Sequence, residues 1–309
     1  MEKYRVEKII ISPEVKEALH ANKPVVALES TVISHGLPYP NNYEIANELQ
    51  AEIRHAGSMP ATIGIVDGEV IVGLSRDQIE LLAKWPNRQK ISCRDLGPAI
   101  VKKWTGGTTV SATSHVAYQV GIRVFATGGI GGVHRTWKRA NNQRTFDISA
   151  DLVTLSRTPI IVVCSGAKSI LDISATLEYL ETYSVPVIGY QTHEFPAFFT
   201  NESGLETGLS ADSIGEIIEI ARTHWALDLT SAILVANPLP ASESLDSELI
   251  EKAIYDALSA EEFLSIVGKD VTPYLLKKVS ENTRGLSLKA NLVLLKNNAR
   301  LAGLIAASL

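Results

Sequence analysis

Lys168 stands in the stretch VVCSGAKSILDI, where a run of β-branched residues ends in Ser-Gly-Ala and an amphipathic segment follows. That pattern predicts a strand, a tight turn and a helix whose first turn carries the lysine. At a helix N-terminus the positive end of the dipole, together with partial burial, disfavours the ammonium form. A neutral amine is a nucleophile that can form a Schiff base with a carbonyl carbon. The alternative is a lysine reaching out to solvent from the first turn. A P-loop is excluded, because Ala167 precedes the lysine and Val162 stands where the first glycine is required.

Other residues offer chemistry of different kinds. Glu29 follows the apolar run VVAL and opens a loop, STVISHGLPYP, that holds His35. A carboxyl group at such a strand end can have a raised pKa and act as general acid and base, or it can simply accept hydrogen bonds from the loop. Asp147 and Asp151, in TFDISADL, would share one face if the segment is helical. Carboxylates and waters suit a hard cation such as Mg²⁺ or Mn²⁺, with helix capping or an ion pair as the alternative use. Gly106, Gly107, Thr108 and Thr109 precede a helical pattern and could offer N–H groups and hydroxyls to a phosphate, with Lys90 adding a point charge. The glycine-rich GGIGG at 128–132 lacks the dinucleotide-binding register, since His134 replaces the last glycine. The absence of HxH and HExxH patterns argues against zinc.

The elements that must position these residues follow an alternating pattern. KPVVALEST reads as a buried strand and NNYEIANELQAEIRHAG as a helix capped by Asn41 and Glu44 and stopped at Gly57. ATIGIVDGEVIVG reads as a hairpin around Asp67-Gly68, followed by a helix opened by a Ser75–Gln78 capping box. Strands at VFATG, PIIVVCS, VPVIGY and SAILVANP then alternate with helices, and two further helices close the chain. Ile214, Ile217, Ile218, Ala221 and Trp225 recur at helical spacing, the mark of a face packed on a sheet. No linker or repeat divides the pattern. The expectation is an α/β class protein, a single α/β/α sandwich domain over residues 1–309 with a central mixed β-sheet. Ligands of such sheets gather beyond the carboxyl ends of the strands.

Composition narrows the partners. The 309 residues are 45% hydrophobic and 20% charged with net charge −5, a balance that gives no basic footprint for nucleic acid. Cys93 and Cys164 are far apart and outside any CxxC pair, so neither a disulfide framework nor a thiolate cage is expected. No apolar run has membrane-spanning length and no signal peptide is recognisable, so a cytoplasmic protein is expected. The terminal Ala-Ser-Leu is a loose relative of the peroxisomal tripeptide.

Taken in order, ALESTVISHGLPYPNN, KISCRDL, GGTTVSAT, FATGGIGGVHR, TFDISADL, VVCSGAKSILDI, PVIGYQTHEFPAF, ANPLP and SLKANLVLLKNNARLA resemble the pseudouridine-5'-phosphate glycosidase (pseudouridylate synthase) family over residues 24–302. The resemblance implies reversible cleavage of pseudouridine 5'-phosphate by water to uracil and ribose 5-phosphate. It also implies a homotrimer and one Mn²⁺ per subunit, with Mg²⁺ or another divalent ion as a substitute. By motif it makes Lys168 the covalent nucleophile, Glu29 the proton donor and Asp147 the metal ligand. Lys90, Thr108, Thr109, Val110, His134, Ser149, Ala150, Asp151 and Asn291 become substrate contacts. The chain departs from the family pattern in the long basic stretch at 136–144, and in His193 and Arg284. Two other classes stay open: another Schiff-base sugar-phosphate lyase or aldolase, and a non-catalytic nucleotide-binding protein.

Overall fold

The computed structural model of the chain describes residues 9–135 and 146–309; the basic stretch at 136–144 lies outside the described residues. In chain order the elements are β1 (Ile9–Ile11), α1 (Pro13–His20), β2 (Val25–Leu28), α2 (Asn41–His55), β3 (Met59–Val66), β4 (Glu69–Val72), α3 (Arg76–Lys84), β5 (Gln89–Ile91), α4 (Leu96–Val101), β6 (Gly106–Thr108), α5 (Val110–Gln119) and β7 (Val124–Ala126). They continue with β8 (Val133–His134), α6 (Ala150–Leu155), β9 (Ile161–Cys164), β10 (Leu171–Asp172), α7 (Ile173–Thr182), β11 (Val187–Tyr190), β12 (Leu209–Ala211), α8 (Ile214–Ala226), β13 (Ile233–Ala236), α9 (Ser247–Ser259), α10 (Val271–Asn282) and α11 (Leu286–Ser308).

One large sheet runs in the order β1-β4-β3-β2-β7-β9-β13-β11-β12, and β6 joins β3 to β5. It is mixed: β2 pairs in parallel with β3 and β7, whereas β3 pairs antiparallel with β4 and β6. The central strands β2, β7, β9 and β13 are buried at every residue, so both sheet faces are covered, as β-branched runs without alternation require. One cover is α11, packed against α2 and α8 and across β2, β7 and β9; α5 packs with α6 and against β2 and β3. From β2 the chain steps outward to β3 on one side and returns as β7 on the other. That reversal opens a crevice at the carboxyl end of β2, where Glu29 lies.

The hairpin at Asp67-Gly68, the Ser75–Gln78 capping box and the long C-terminal helix form as the sequence patterns require. Four local readings are corrected. The helix after β9 starts at Ile173, not at Lys168, because Asp172 caps it at Ala175 N (3.0 Å) while Lys168 N donates to Ile130 O (3.1 Å). Gly106 and Gly107 belong to strand β6 rather than to a phosphate-binding entrance of the helix that follows; a Cβ on Gly107 would lie 2.5 Å from Ser30 O, so glycine lets the Glu29 loop close on β6. Asn41 is the first residue of α2 rather than its cap, and Pro40 O accepts from Tyr43 N and Glu44 N. Asp147 precedes α6, so it and Asp151 do not share a helix face. The helices α1, α4 and α10 were not expected from the sequence pattern. Among the described residues no helix is long and apolar enough to cross a membrane.

Candidate functional site

A cavity of about 310 Å³ opens beyond the carboxyl ends of β2, β7 and β9, within the size range of small-ligand sites. Glu29, Lys90, Lys168, Thr109, Val110 and Asn291 line it. His134, Asp147, Ser149, Ala150 and Asp151 complete the set of expected residues on its wall. Thr108 is the exception. Its hydroxyl donates to Ile63 O (2.7 Å) and meets Thr113 Oγ1 (2.9 Å), so it braces β3 against α5 from a fully buried position behind the wall.

Glu29 extends from the end of β2 and accepts a short hydrogen bond from the Thr127 hydroxyl, which follows β7. Burial pushes its carboxyl above the ordinary carboxylate range, against the opposing pull of the Lys168 charge, the Thr127 hydrogen bond and the Lys90 charge. Such a group keeps a proton to higher pH than an exposed glutamate. Lys90 is shifted the other way: burial, then the like charge of Lys168, lowers its pKa. Lys168 sits past β9 in a turn held by the Ile130–Ala167 bridge, so the backbone of the glycine-rich loop fixes it. The helix-dipole contribution expected from sequence is absent at this position, since α7 begins five residues later.

Asp151 is buried in the first turn of α6 and accepts from Ser111 N (2.9 Å) and Gly131 N (2.8 Å). Both oxygens are thus engaged by backbone, and the carboxylate ties α5, α6 and the glycine-rich loop into one wall. Gly131 is required for that approach, because an added Cβ would sit 2.7 Å from Asp151 Oδ2. The N–H groups of Ile130 and Gly131 in the glycine-rich loop are engaged by Gly166 O and Asp151.

Asp147 is brought to the wall by backbone pairing of β8: His134 N donates to Asp147 O (3.0 Å), and Val133 bridges Ile148. His134 Nε2 then lies 4.0 Å from Asp147 Oδ2. Burial lowers the His134 pKa although the Asp147 charge opposes the shift. No group of three His, Cys, Asp or Glu side chains suited to a metal converges among the described residues. The part-exposed Asp147 carboxylate at the cavity wall fits a hydrated hard cation held by one carboxylate and water, not a closed protein cage.

Several wall residues escaped the sequence reading. His35, seen only as a loop residue, bonds through Nδ1 to Ser34 Oγ (2.7 Å) and lines the cavity. Burial, reinforced by Lys90, Arg88 and Lys269, lowers its pKa to about 4, so it is neutral at ordinary pH. Lys269, Thr272, Pro273 and Leu276 arrive from the start of α10 and the turn before it, and Phe198 from the loop after β11. Long-range folding brings these residues here: His35 and Phe198 lie within quoted motifs that gave them no role, and no motif marked Lys269, Thr272, Pro273 or Leu276. Cys93 and Cys164 are free, and burial pushes the Cys164 thiol up to about 12, which makes it inert.

The family described as "Indigoidine synthase A like protein" matches residues 14–308. A pseudouridine-5'-phosphate glycosidase of Petrotoga mobilis is 49% identical over 96% of this chain and 95% of its own length. The one from Staphylococcus aureus is 48% identical over 96% and 94%. Among solved structures, the prealnumycin C-glycosynthase AlnA in complex with ribulose 5-phosphate superposes with TM-score 0.88 at 38% identity, covering 98% of this chain and 97% of that one. An indigoidine synthase A-like protein from Thermotoga maritima gives 0.88 at 35%, covering 99% and 98%. The two glycosidases named come from bacteria and lend no support to a peroxisomal reading of Ala-Ser-Leu.

Proposed function

The chain belongs to the pseudouridine-5'-phosphate glycosidase family, and on that premise we propose that it cleaves the C-glycosidic bond of pseudouridine 5'-phosphate to give uracil and ribose 5-phosphate. The observation that carries this reading is the meeting, in one cavity, of a buried carboxyl group, Glu29, whose hold on its proton burial strengthens, with two lysines, Lys90 and Lys168.

A carbon leaving group cannot be released by protonating a glycosidic oxygen or nitrogen, so the paired carboxylates of ordinary glycosidases do not suffice. Glu29, protonated, gives its proton to the ribose ring oxygen as the C1'–O bond breaks and the sugar opens. Ring opening leaves C1' electron-deficient, its charge shared with the uracil ring; the Lys168 amine bonds to it and passes a proton to the Glu29 carboxylate, which then supplies the proton taken up by the leaving carbon. The lysine nitrogen lone pair expels uracil as the C1'–C bond breaks and that carbon takes up a proton. The resulting iminium is hydrolysed by water to ribose 5-phosphate, returning the amine. The lysine is thus an electron source as well as a tether. Lys90 and the backbone around Val110 and Ser149–Ala150 hold the phosphate and open sugar, which has many conformers to lose. Asp151 serves by fixing that wall. Asp147 is the residue that would hold a Mn²⁺ ion with water, and the ion would supply charge to bind substrate oxygens. The family resemblance also supports a homotrimer.

The test is release of uracil from pseudouridine 5'-phosphate by purified protein, with and without Mn²⁺. Uracil should form in step with intact ribose 5-phosphate, and borohydride with ribose 5-phosphate should leave a covalent adduct that Lys168→Ala lacks. No uracil from folded protein at saturating metal overturns the reaction; an adduct surviving in Lys168→Ala overturns the nucleophile. Fragments of a broken sugar would instead mark an aldolase. The likeness to a C-glycosynthase supports the forming direction too, so uracil and ribose 5-phosphate together should return the nucleotide.

A further inference from the structure

Asn298 lies on α11, fully buried and behind the cavity wall rather than on it. Its side-chain amide has two N–H donors and two acceptor positions. All four are engaged. Nδ2 lies 2.9 Å from Thr127 O and 3.3 Å from Gly128 O; Oδ1 lies 3.0 Å from Asn237 Nδ2 and 3.3 Å from Ser165 Oγ. Ser165 Oγ is also 3.1 Å from Nδ2, but the two backbone carbonyls can only accept, and this orients the amide.

The partners share one property. Thr127, Ser165 and Asn237 are the first residues beyond β7, β9 and β13, three adjacent strands of the sheet. Thr127 N is held by Val163 O, Ser165 N by Gly128 O and Asn237 N by Cys164 O, so the ladder continues one residue past the strands and Asn298 closes its end. Both lines to the chemistry start there: the Thr127 hydroxyl donates to Glu29, and Ser165 opens the turn that delivers Lys168 three residues later.

We propose that Asn298 is a positioning residue that holds the ends of β7, β9 and β13 so that Thr127 meets Glu29 and the Ser165 turn presents Lys168. This rests on the roles given above to Glu29 and Lys168. The charged groups that face Glu29 are Lys168, Asp151 and Lys90, so losing the Thr127 bond and withdrawing Lys168 would both move its titration in one direction, upward.

The test needs no substrate. In protein labelled with ¹³C at glutamate side-chain carboxyls, the Glu29 resonance is assigned by its loss in Glu29→Gln and titrated with pH. Thr127→Val removes a hydrogen bond to the ionised form, so the Glu29 midpoint should rise. Asn298→Ala should raise it in the same direction, with Asn298→Ser as the second variant should alanine fail to fold. Asn237→Ala removes a neighbour in the same cluster and leaves the Thr127 and Gly128 bonds, so the midpoint should stay. In the uracil assay, Asn298 variants should lose kcat by about 10- to 100-fold with KM changed by less than about threefold. A wild-type midpoint in folded Asn298 variants overturns the proposal, as does an equal shift in Asn237→Ala. Absence of uracil release by the unmodified protein overturns the reaction and leaves the titration to decide the role of Asn298.

Discussion

At the scale of single residues, the site works by giving chemically similar groups different environments. Glu29 binds its proton more tightly in the folded chain than in the unfolded one, because burial outweighs Lys168 and Thr127. Its relative contribution to stability is full below the unfolded pKa and is lost as pH rises through the raised folded value. Glu29→Gln cannot ionise, so its Tm should exceed that of the unmodified protein on the alkaline side and match it on the acid side, as paired thermal melts would register. The same change removes the proton donor that we propose, and uracil release should fall by at least about 100-fold. Asp147 tests the cation site. Electron paramagnetic resonance of free Mn²⁺ should report binding weakened by about tenfold or more in Asp147→Asn, and unchanged binding would exclude this carboxylate as the ligand.

At the scale of elements, the wall is assembled by buried polar groups that reach between segments distant in sequence. Asp151 joins the first turns of α5 and α6 to the glycine-rich loop through two backbone N–H donors. Hydrogen bonds to a charged group contribute about 1.5–3 kcal/mol each. Asp151→Asn turns an amide donor toward one of those N–H groups, so denaturant unfolding should show a loss of about 2–3 kcal/mol together with weakened substrate binding. Retention of full stability would show that the carboxylate does not brace the wall. This also accounts for Thr108, whose residue type and position in GGTT resemble a phosphate contact although its hydroxyl is consumed by Ile63 O. Side-chain type alone does not reveal which way a residue faces in a strand of three residues.

At the scale of the whole molecule, the strand order places Glu29 at the reversal between β3 and β7, and the next strand, β9, delivers Lys168. The trimer expected from the family should be seen as a particle of three chain masses by light scattering after gel filtration; a monomer with full activity would show that each chain carries a complete site. The alternating strands and helices, the hairpin, the Ser75–Gln78 cap and the mixed sheet were legible in the sequence, because hydrophobic period and turn chemistry are local properties. Glu29 and Lys168 were legible as unusual residue types at strand ends, and the ordered motifs marked their family. The pairing of the Lys168 backbone with the glycine-rich loop, the withdrawal of Thr108, the pairing that brings Asp147 to the wall, and the arrival of His35, Phe198 and Lys269 at the cavity were decided by tertiary structure. Lys168 N finds Ile130 O, the Thr108 hydroxyl finds Ile63 O and Asp147 O finds His134 N, and such partners for buried polar groups are set by which segments the fold brings together, not by the local sequence.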